Sequence, residues 1–391
     1  MVVLRVFPNL IYVILPRFPN QRHPVRTLIS NTPAVNALNM KRIVLHIGTE
    51  KTATTSLQAF FALNHERLSE AGVWYPCDEE LDYCHRDAHF PLAAATYAEC
   101  PDFVTPKKYF EYRPLFQKLF SDMETRPEGT VLLSAEHFSS RCSRPERIER
   151  LGEMLGDRDV EIILYVRPQQ ELLLSAYSTF LKSGGKKTLE ELCQKQWLKP
   201  GAIYFNYYRM VSRWWDVFGR NKVTVRIFQK PRLVEEDIYR DFISTLGINW
   251  DDEFIIPERR NPPICKELAD FLFLANQHFP AFIEDDRAGW EMGNRFRREI
   301  EPLFPHGRPL RHVLSNELER ETSTFFAKFN AKLAATARPD LNGELFLETH
   351  TDEPLEPNAS ENVFCDEFVS WVIQQWKSGD ALKAQLQAAV S

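Results

Sequence analysis

What the sequence lacks narrows it first. Its seven cysteines (Cys77, Cys84, Cys100, Cys142, Cys193, Cys265 and Cys365) include no CxxC pair and no Cys/His set at ligand spacing, which argues against a structural zinc. An odd, scattered set is expected as reduced thiols in a reducing compartment, and on that ground a cytoplasmic location is expected. No apolar run is long enough to span a bilayer: the opening MVVLRVFPNLIYVILP is cut by Arg5 and Pro8, and no small-residue cleavage site precedes Arg17. Charge of one sign is missing too. With 48 basic against 54 acidic residues the net charge is −6, which gives no global attraction to nucleic acid or to anionic lipid. An anionic ligand would therefore have to be met by local positive charge. There is no internal repeat.

What is present fits a large α/β domain. The 391 residues are 44% hydrophobic and 26% charged, an ordinary balance for a globular chain that needs no metal or disulfide staple to fold. Residues 1–39 carry no periodicity and read as a poorly ordered extension, or as a start placed ahead of Met40. From Met40 to about residue 255, short apolar runs alternate with helical periods, the pattern of a parallel sheet covered by helices. KRIVLHIG (41–48), TVLLSAE (130–136), EIILYV (161–166) and KVTVRIF (222–228) are expected as buried strands. Leu57, Phe60, Phe61 and Leu68 sit at helical spacing before Gly72, and 73–129 is less regular. Residues 256–391 are mainly helical, with Phe368, Trp371 and Val372 marking one amphipathic face, and are expected to complete the domain and its acceptor site.

The most informative stretch is HIGTEKTATTSLQ, residues 46–58. A buried strand runs through a short turn straight into a helix. That geometry gathers free backbone N–H groups and the positive end of the helix dipole at one point, and Lys51, Thr52, Thr54, Thr55 and Ser56 add further donors. A phosphate or sulfate is the ligand that uses so many donors together. The plainer reading is a Thr-rich N-cap on an ordinary helix. The stretch is not a Walker A loop: counted from Gly48, the positions that should be Gly and Lys are Ala53 and Thr54. A second constellation, YVRPQQELLLSAY, puts Arg167 at a strand's carboxyl end and Ser175 two turns into the next helix. Open α/β sheets bind ligands at such strand ends. Two separated anion sites on one sheet edge suggest a nucleotide with phosphates at both ends of its ribose.

These two motifs resemble the PAPS-dependent sulfotransferases, particularly the bacterial carbohydrate type. HIGTEKTATTSLQ is similar to that family's 5′-phosphosulfate loop, and RPQQELLLSAY to its 3′-phosphate motif with the same Arg-to-Ser separation. The resemblance covers most of residues 40–335. It implies a three-layer, P-loop-like fold with a central parallel sheet, and transfer of a sulfuryl group from PAPS to a hydroxyl or amine without a metal. Lys51 would stabilise the leaving group. Thr52, Ala53, Thr54, Thr55 and Ser56 would hold the 5′-phosphate, and Arg167 with Ser175 the 3′-phosphate. Ala53 stands where the family usually has Gly, which would hinder close approach of the 5′-phosphate. Three residues compete as general base. His89, in HRDAHFPLAAA, resembles the family's histidine before a small-residue helix; His85 would share its face if that stretch is helical; Glu136 follows a strand. Trp74 and Trp197 are possible sugar-stacking residues, and Arg259, Arg260 and Asn261 a polar loop near the nucleotide. The acceptor is expected to be a small molecule or glycan, with no nucleic acid and no membrane insertion. A P-loop kinase using ATP and Mg²⁺, or a non-catalytic nucleotide- or glycan-binding relative, are the alternatives.

Overall fold

The structure, a computed structural model, describes residues 41–77, 82–101, 103–142, 144–258, 264–280, 287–347 and 364–378. The extension 1–39, the loop around Arg259, Arg260 and Asn261, and the Pro/Glu-rich stretch 351–361 lie outside them. The described residues all belong to one compact unit, Met40–Ser391.

Five strands, β1 (Arg42–His46), β2 (Val73–Trp74), β3 (Thr130–Ser134), β4 (Val160–Val166) and β5 (Val223–Ile227), form one sheet in the order β2-β3-β1-β4-β5. Every pairing is parallel: β1 pairs with β3 from Arg42–Thr130 to His46–Ser134 and with β4 from Ile43–Val160 to His46–Ile163. Strand alternation sorts the side chains into two cores. Val44, Leu132, Ile163 and Tyr165 face one side, where they meet Leu57, Phe60, Phe61 and Phe242. Ile43, Leu45, Val131, Leu133, Ile162, Leu164 and Val225 face the other and join the larger core. Both faces are covered, so these strands read as unbroken apolar runs. The chain leaves β1 toward β3 on one side and returns to β4 on the other, which puts the topological switch beside the carboxyl end of β1.

The helices up to β5 are α1 (Thr54–Leu63), α2 (His65–Glu70), α3 (Phe90–Ala95), α4 (Pro106–Tyr112), α5 (Leu115–Thr125), α6 (His137–Ser140), α7 (Pro145–Leu155), α8 (Gln169–Lys182), α9 (Leu189–Leu192) and α10 (Tyr207–Phe218). α11 (Ile238–Thr245) follows β5, and α12 (Lys266–Gln277), α13 (Arg287–Ile300), α14 (Asn316–Ala337) and α15 (Asp366–Ser378) make the C-terminal region helical. α10 shows the logic: Tyr207, Met210, Val211, Trp214 and Trp215 recur at helical spacing and are buried, and Asn206 caps the helix by accepting from Arg209 N–H at 3.2 Å. Among the described residues no helix is long and apolar enough to cross a membrane.

Several local expectations are corrected. The single helix read across 54–71 breaks at Asn64, whose amide bonds Ile255 in both directions, to its carbonyl at 2.8 Å and from its N–H at 2.7 Å. The irregular stretch after residue 73 contains β2, α3, α4 and α5. α15 buries Val369, Val372 and Ile373 while Trp371 is 41% exposed, one residue off the face read from the sequence. Trp74 is a core residue beneath the Arg126 guanidinium, not a cleft wall. The thiols are not all reduced: Cys77 and Cys84 form a disulfide with a Cα–Cα distance of 5.2 Å. A seven-residue separation is not a recognisable pairing pattern, so only the fold, which turns the chain back after β2, reveals the bond.

Candidate functional site: an anion cradle at the end of the central strand

The turn between β1 and α1 is built by tying its carbonyl groups back into the protein. The Thr49 carbonyl accepts from the Thr52 hydroxyl at 2.7 Å, the Thr54 hydroxyl at 3.2 Å and Thr52 N–H at 3.3 Å. Ser139 Oγ on α6 donates to the Gly48 carbonyl, and Thr49 Oγ1 donates to the Tyr165 carbonyl of β4. Arg167 Nη1 donates to the Lys51 carbonyl at 2.6 Å. With the carbonyls held inward, the N–H groups of Glu50, Lys51 and Ala53 have no acceptor among the described residues. Those of Thr54, Thr55 and Ser56 are the orphan donors that open any helix, and α1 has no side-chain cap to take them. Left-handed backbone at Gly48 (φ 47°), Lys51 (φ 70°) and Ala53 (φ 61°) curls the turn into a nest of donors. Gly48 is required sterically as well, since a Cβ there would lie 2.7 Å from Thr54 Oγ1.

The four hydroxyls expected around an anion divide into two pairs. Thr52 and Thr54 are buried and committed to the Thr49 carbonyl, so they shape the turn, while Thr55 is exposed and Ser56 half-buried. Ala53 also changes meaning. Its substitution for Gly matters at the backbone, because it is the N-cap residue in the left-handed region, where an L side chain costs about 1–2 kcal/mol. Ala53→Gly is expected to raise the unfolding free energy by about 0.5–1 kcal/mol, the Cβ relief exceeding the added freedom of the unfolded chain. Chemical denaturation of both forms measures this; an equal or lower midpoint in the variant would count against strain at Ala53.

Around the cradle lies a charged cluster. Glu136, just past the carboxyl end of β3, has its carboxyl pushed above the usual range by burial first and by the neighbouring Glu50 carboxylate, with Lys51 and Arg141 pulling the other way. Tyr204 donates its hydroxyl to Glu50 Oε2 at 3.1 Å, and burial followed by Glu50 drives its own titration far upward. No ion pair involves Glu50, Lys51 or Glu136 among the described residues. His137 stands next to Glu136, half-buried, with its ring 4.6 Å from that of Phe90. Tyr204 and His137 had no signal in the sequence, while Glu50 lies within residues 46–58 but gains its role only through the packing that brings Tyr204 and Glu136 near it.

His89 is placed differently from an accessible base. It is fully buried, its Nδ1 accepts from Ser134 N–H at 3.0 Å, and its Nε2 donates to the Pro76 carbonyl at 3.2 Å. Burial holds the ring neutral, lowering it to about 4. Both nitrogens are committed, so the ring braces the end of β3. His85 does not share a helical face with it. Residues 85–88 form a tight antiparallel turn through Arg86 and Asp87, both left-handed, and His85 is exposed. Beneath the cradle, His46 Nδ1 meets Ser134 Oγ at 2.9 Å, and Gln58 Nε2 donates to the same oxygen at 3.2 Å.

Arg167 lies at the end of β4 and Ser175 on α8, as the sequence indicates. The guanidinium, however, clasps the Lys51 carbonyl and Glu171, so it ties the two motifs together. Tyr207 fixes the Arg167 backbone by donating to its carbonyl at 2.8 Å. Beside Phe90 a cavity of about 420 Å³ is lined by Asp82, Cys84, His85, Phe103, Lys108 and Tyr112, among others. Phe90 and Phe103, both lining it, pack against the His137 ring. Trp197 packs against Phe205. Among the described residues no group of three or more His, Cys, Asp or Glu side chains is arranged to hold a metal ion.

Comparison with known proteins adds little detail. No family model matches the chain. A curated relative, an uncharacterized protein of Archaeoglobus fulgidus, is 27% identical over 134 residues, which is 34% of this chain and 34% of that protein. The chain thus matches about a third of that relative's length. Among solved structures, the chain is similar to the sulfotransferase from Alicyclobacillus acidocaldarius, with a TM-score of 0.40 and 16% identity over 75% of this chain and 94% of that one.

Proposed function

We propose that the chain is a sulfotransferase that moves the sulfuryl group of PAPS to a hydroxyl or amine of an acceptor. The observation that carries this reading is the uncapped N-terminus of α1, with its turn carbonyls tied inward, its N–H groups free and Lys51 within the turn. Such a cradle suits the 5′-phosphate, and Arg167 and Ser175 on the adjoining strand and helix suit the 3′-phosphate. In the reaction the acceptor oxygen attacks sulfur as the bond from sulfur to the 5′-phosphate oxygen breaks. The acceptor proton goes to a base, and the products are the sulfated acceptor and PAP. Lys51 and the helix-end donors stabilise the charge that develops on the leaving oxygen. The aromatic-lined cavity beside Phe90 is the acceptor side, and its mixture of Phe, Tyr, His, Lys and Asp suits a small polyhydroxylated or glycan acceptor.

Glu136 is the base this geometry favours over His89 and His85. A carboxylate whose proton affinity is raised by burial and by Glu50 is a stronger base than a free one. Its titration also sets a stability sign. A carboxyl raised in the folded state stabilises the fold at low pH, and that contribution is lost as pH rises through the raised value. Glu136→Gln is therefore expected to lower turnover by about 10²–10⁴-fold and abolish the acid limb of the rate profile, while leaving the protein at least as stable at neutral pH. A variant with near-normal turnover would remove Glu136 from the base role.

The reading as a whole is tested by nucleotide binding. Thermal unfolding should be shifted upward by PAP and much less by ATP with Mg²⁺. The reverse order would favour the kinase reading. PAP binding without sulfate transfer in a mass-spectrometric acceptor screen would favour a non-catalytic relative.

A further inference from the structure

We propose that the C-terminal helical region holds a second oxyanion site, where Arg297, Lys182 and Arg298 line a cavity of about 490 Å³ suited to a phosphate, sulfate or carboxylate group. The site is remote in sequence from the cradle and does not depend on the sulfotransferase reading. Its centre is Arg297, only 3% exposed. Elsewhere the buried Lys266 faces a carboxylate, Asp270 at 2.5 Å, and the half-buried Arg226 meets the fully buried Asp241. Arg297 faces none. Nη1 donates to Asn276 Oδ1 at 3.0 Å and Nη2 to Asn294 Oδ1 at 2.7 Å, both neutral acceptors, and Nε is buried with no partner among the described residues. Burial without a compensating charge lowers its proton affinity, to a value of about 10. A buried charge lacking a counter-ion is strongly unfavourable, which is why such groups are almost always paired.

The surroundings are shaped for this guanidinium. It lies between two glycines: a Cβ at Gly293 would come within 3.1 Å of Nη1, and one at Gly184 within 3.3 Å of both terminal nitrogens. Asn276 is itself fixed, donating at 2.9 Å to the carbonyls of Leu181 and Gly185 where α8 ends. At the mouth, Lys182 pairs with Glu301 at 2.5 Å, and Arg298 is exposed without an ion pair among the described residues. Glu291 is the remaining charged lining residue, so three cations stand against two carboxylates and the cavity is net positive. The negative end of the α8 dipole offsets part of the Arg297 charge. If that were its whole role, Arg297 would be a structural clamp and the cavity would take no anion.

Thermal unfolding of the full chain in sulfate, phosphate or acetate, at ionic strength held constant with chloride, separates the two roles. The Lys51→Ala background weakens the cradle but leaves its backbone N–H groups, so the second site is read from the effect of its own arginines. In that background a saturable stabilisation is expected to persist, and the comparison of the three anions identifies the preferred class. Adding Arg298→Gln should raise the half-saturating anion concentration of this component about tenfold, and adding Arg297→Gln should remove the component. Because Arg297→Gln can itself unfold the region, the exposed Arg298 keeps the test decisive. Stabilisation no greater than with chloride, or an unchanged half-saturating concentration in the Arg298 variant, would overturn the site. Neither result bears on whether PAP binds the cradle.

Discussion

Lys51→Ala is expected to reduce sulfate transfer by at least about 10²–10³-fold, the cost of removing one preorganised donor from developing transition-state charge. The fold should be retained. Lys51 adopts φ 70°, and alanine carries the same Cβ penalty there, so backbone strain is unchanged and the comparison isolates the ammonium. Lys51→Gly would confuse the two effects, because it also relaxes the turn. PAP affinity should fall only modestly, as the backbone N–H groups and Arg167 are untouched. The measurement is turnover with PAPS alongside PAP titration calorimetry. Near-normal turnover would refute the role given to Lys51, and loss of PAP binding in parallel would show that the lysine serves binding more than catalysis.

The second large effect belongs to Arg167. Its guanidinium would contribute a charge-assisted bond to the 3′-phosphate, and its removal should weaken PAP binding by about 1.5–3 kcal/mol. The contact to the Lys51 carbonyl adds a consequence not visible in sequence: without it, the turn loses the tie on the carbonyl that precedes the cradle's donors. Arg167→Ala should therefore lower kcat as well as affinity, whereas Arg167→Lys should recover part of the affinity but not the forked geometry. Unchanged PAP affinity in the alanine variant would place the 3′-phosphate elsewhere. Unchanged kcat with weakened affinity would show that the tie to Lys51 has no bearing on transfer.

The sheet and the cradle were legible in the chain because both rest on short-range rules. Strands such as Val131–Leu133 and Ile162–Val166 are covered on both faces and so appear as uninterrupted apolar runs. The turn after β1 announces itself by a strand, a glycine and a hydroxyl-rich helix start. Spacing could not tell which hydroxyls face inward, because that depends on where the Thr49 carbonyl is turned. The surroundings of the histidines were hidden for a related reason. His89 precedes a small-residue helix in sequence, and the turn at Arg86 and Asp87 carries its ring under Pro76 and Ser134. Glu50 and Tyr204 meet across 154 positions of sequence, and the Cys77–Cys84 bond follows from a chain reversal. Neither kind of contact leaves a periodic trace.

The inward tethering of the β1–α1 turn bears on how a ligand would arrive. A loop held through Gly48, Thr49 and Lys51 by α6, β4 and Arg167 has already lost its backbone freedom when the protein folds. Capture of an anion then incurs little additional ordering entropy. Association should resemble the docking of two rigid bodies, and a crystal structure with PAP should reproduce the Cα path of residues 47–56 to within about 1 Å.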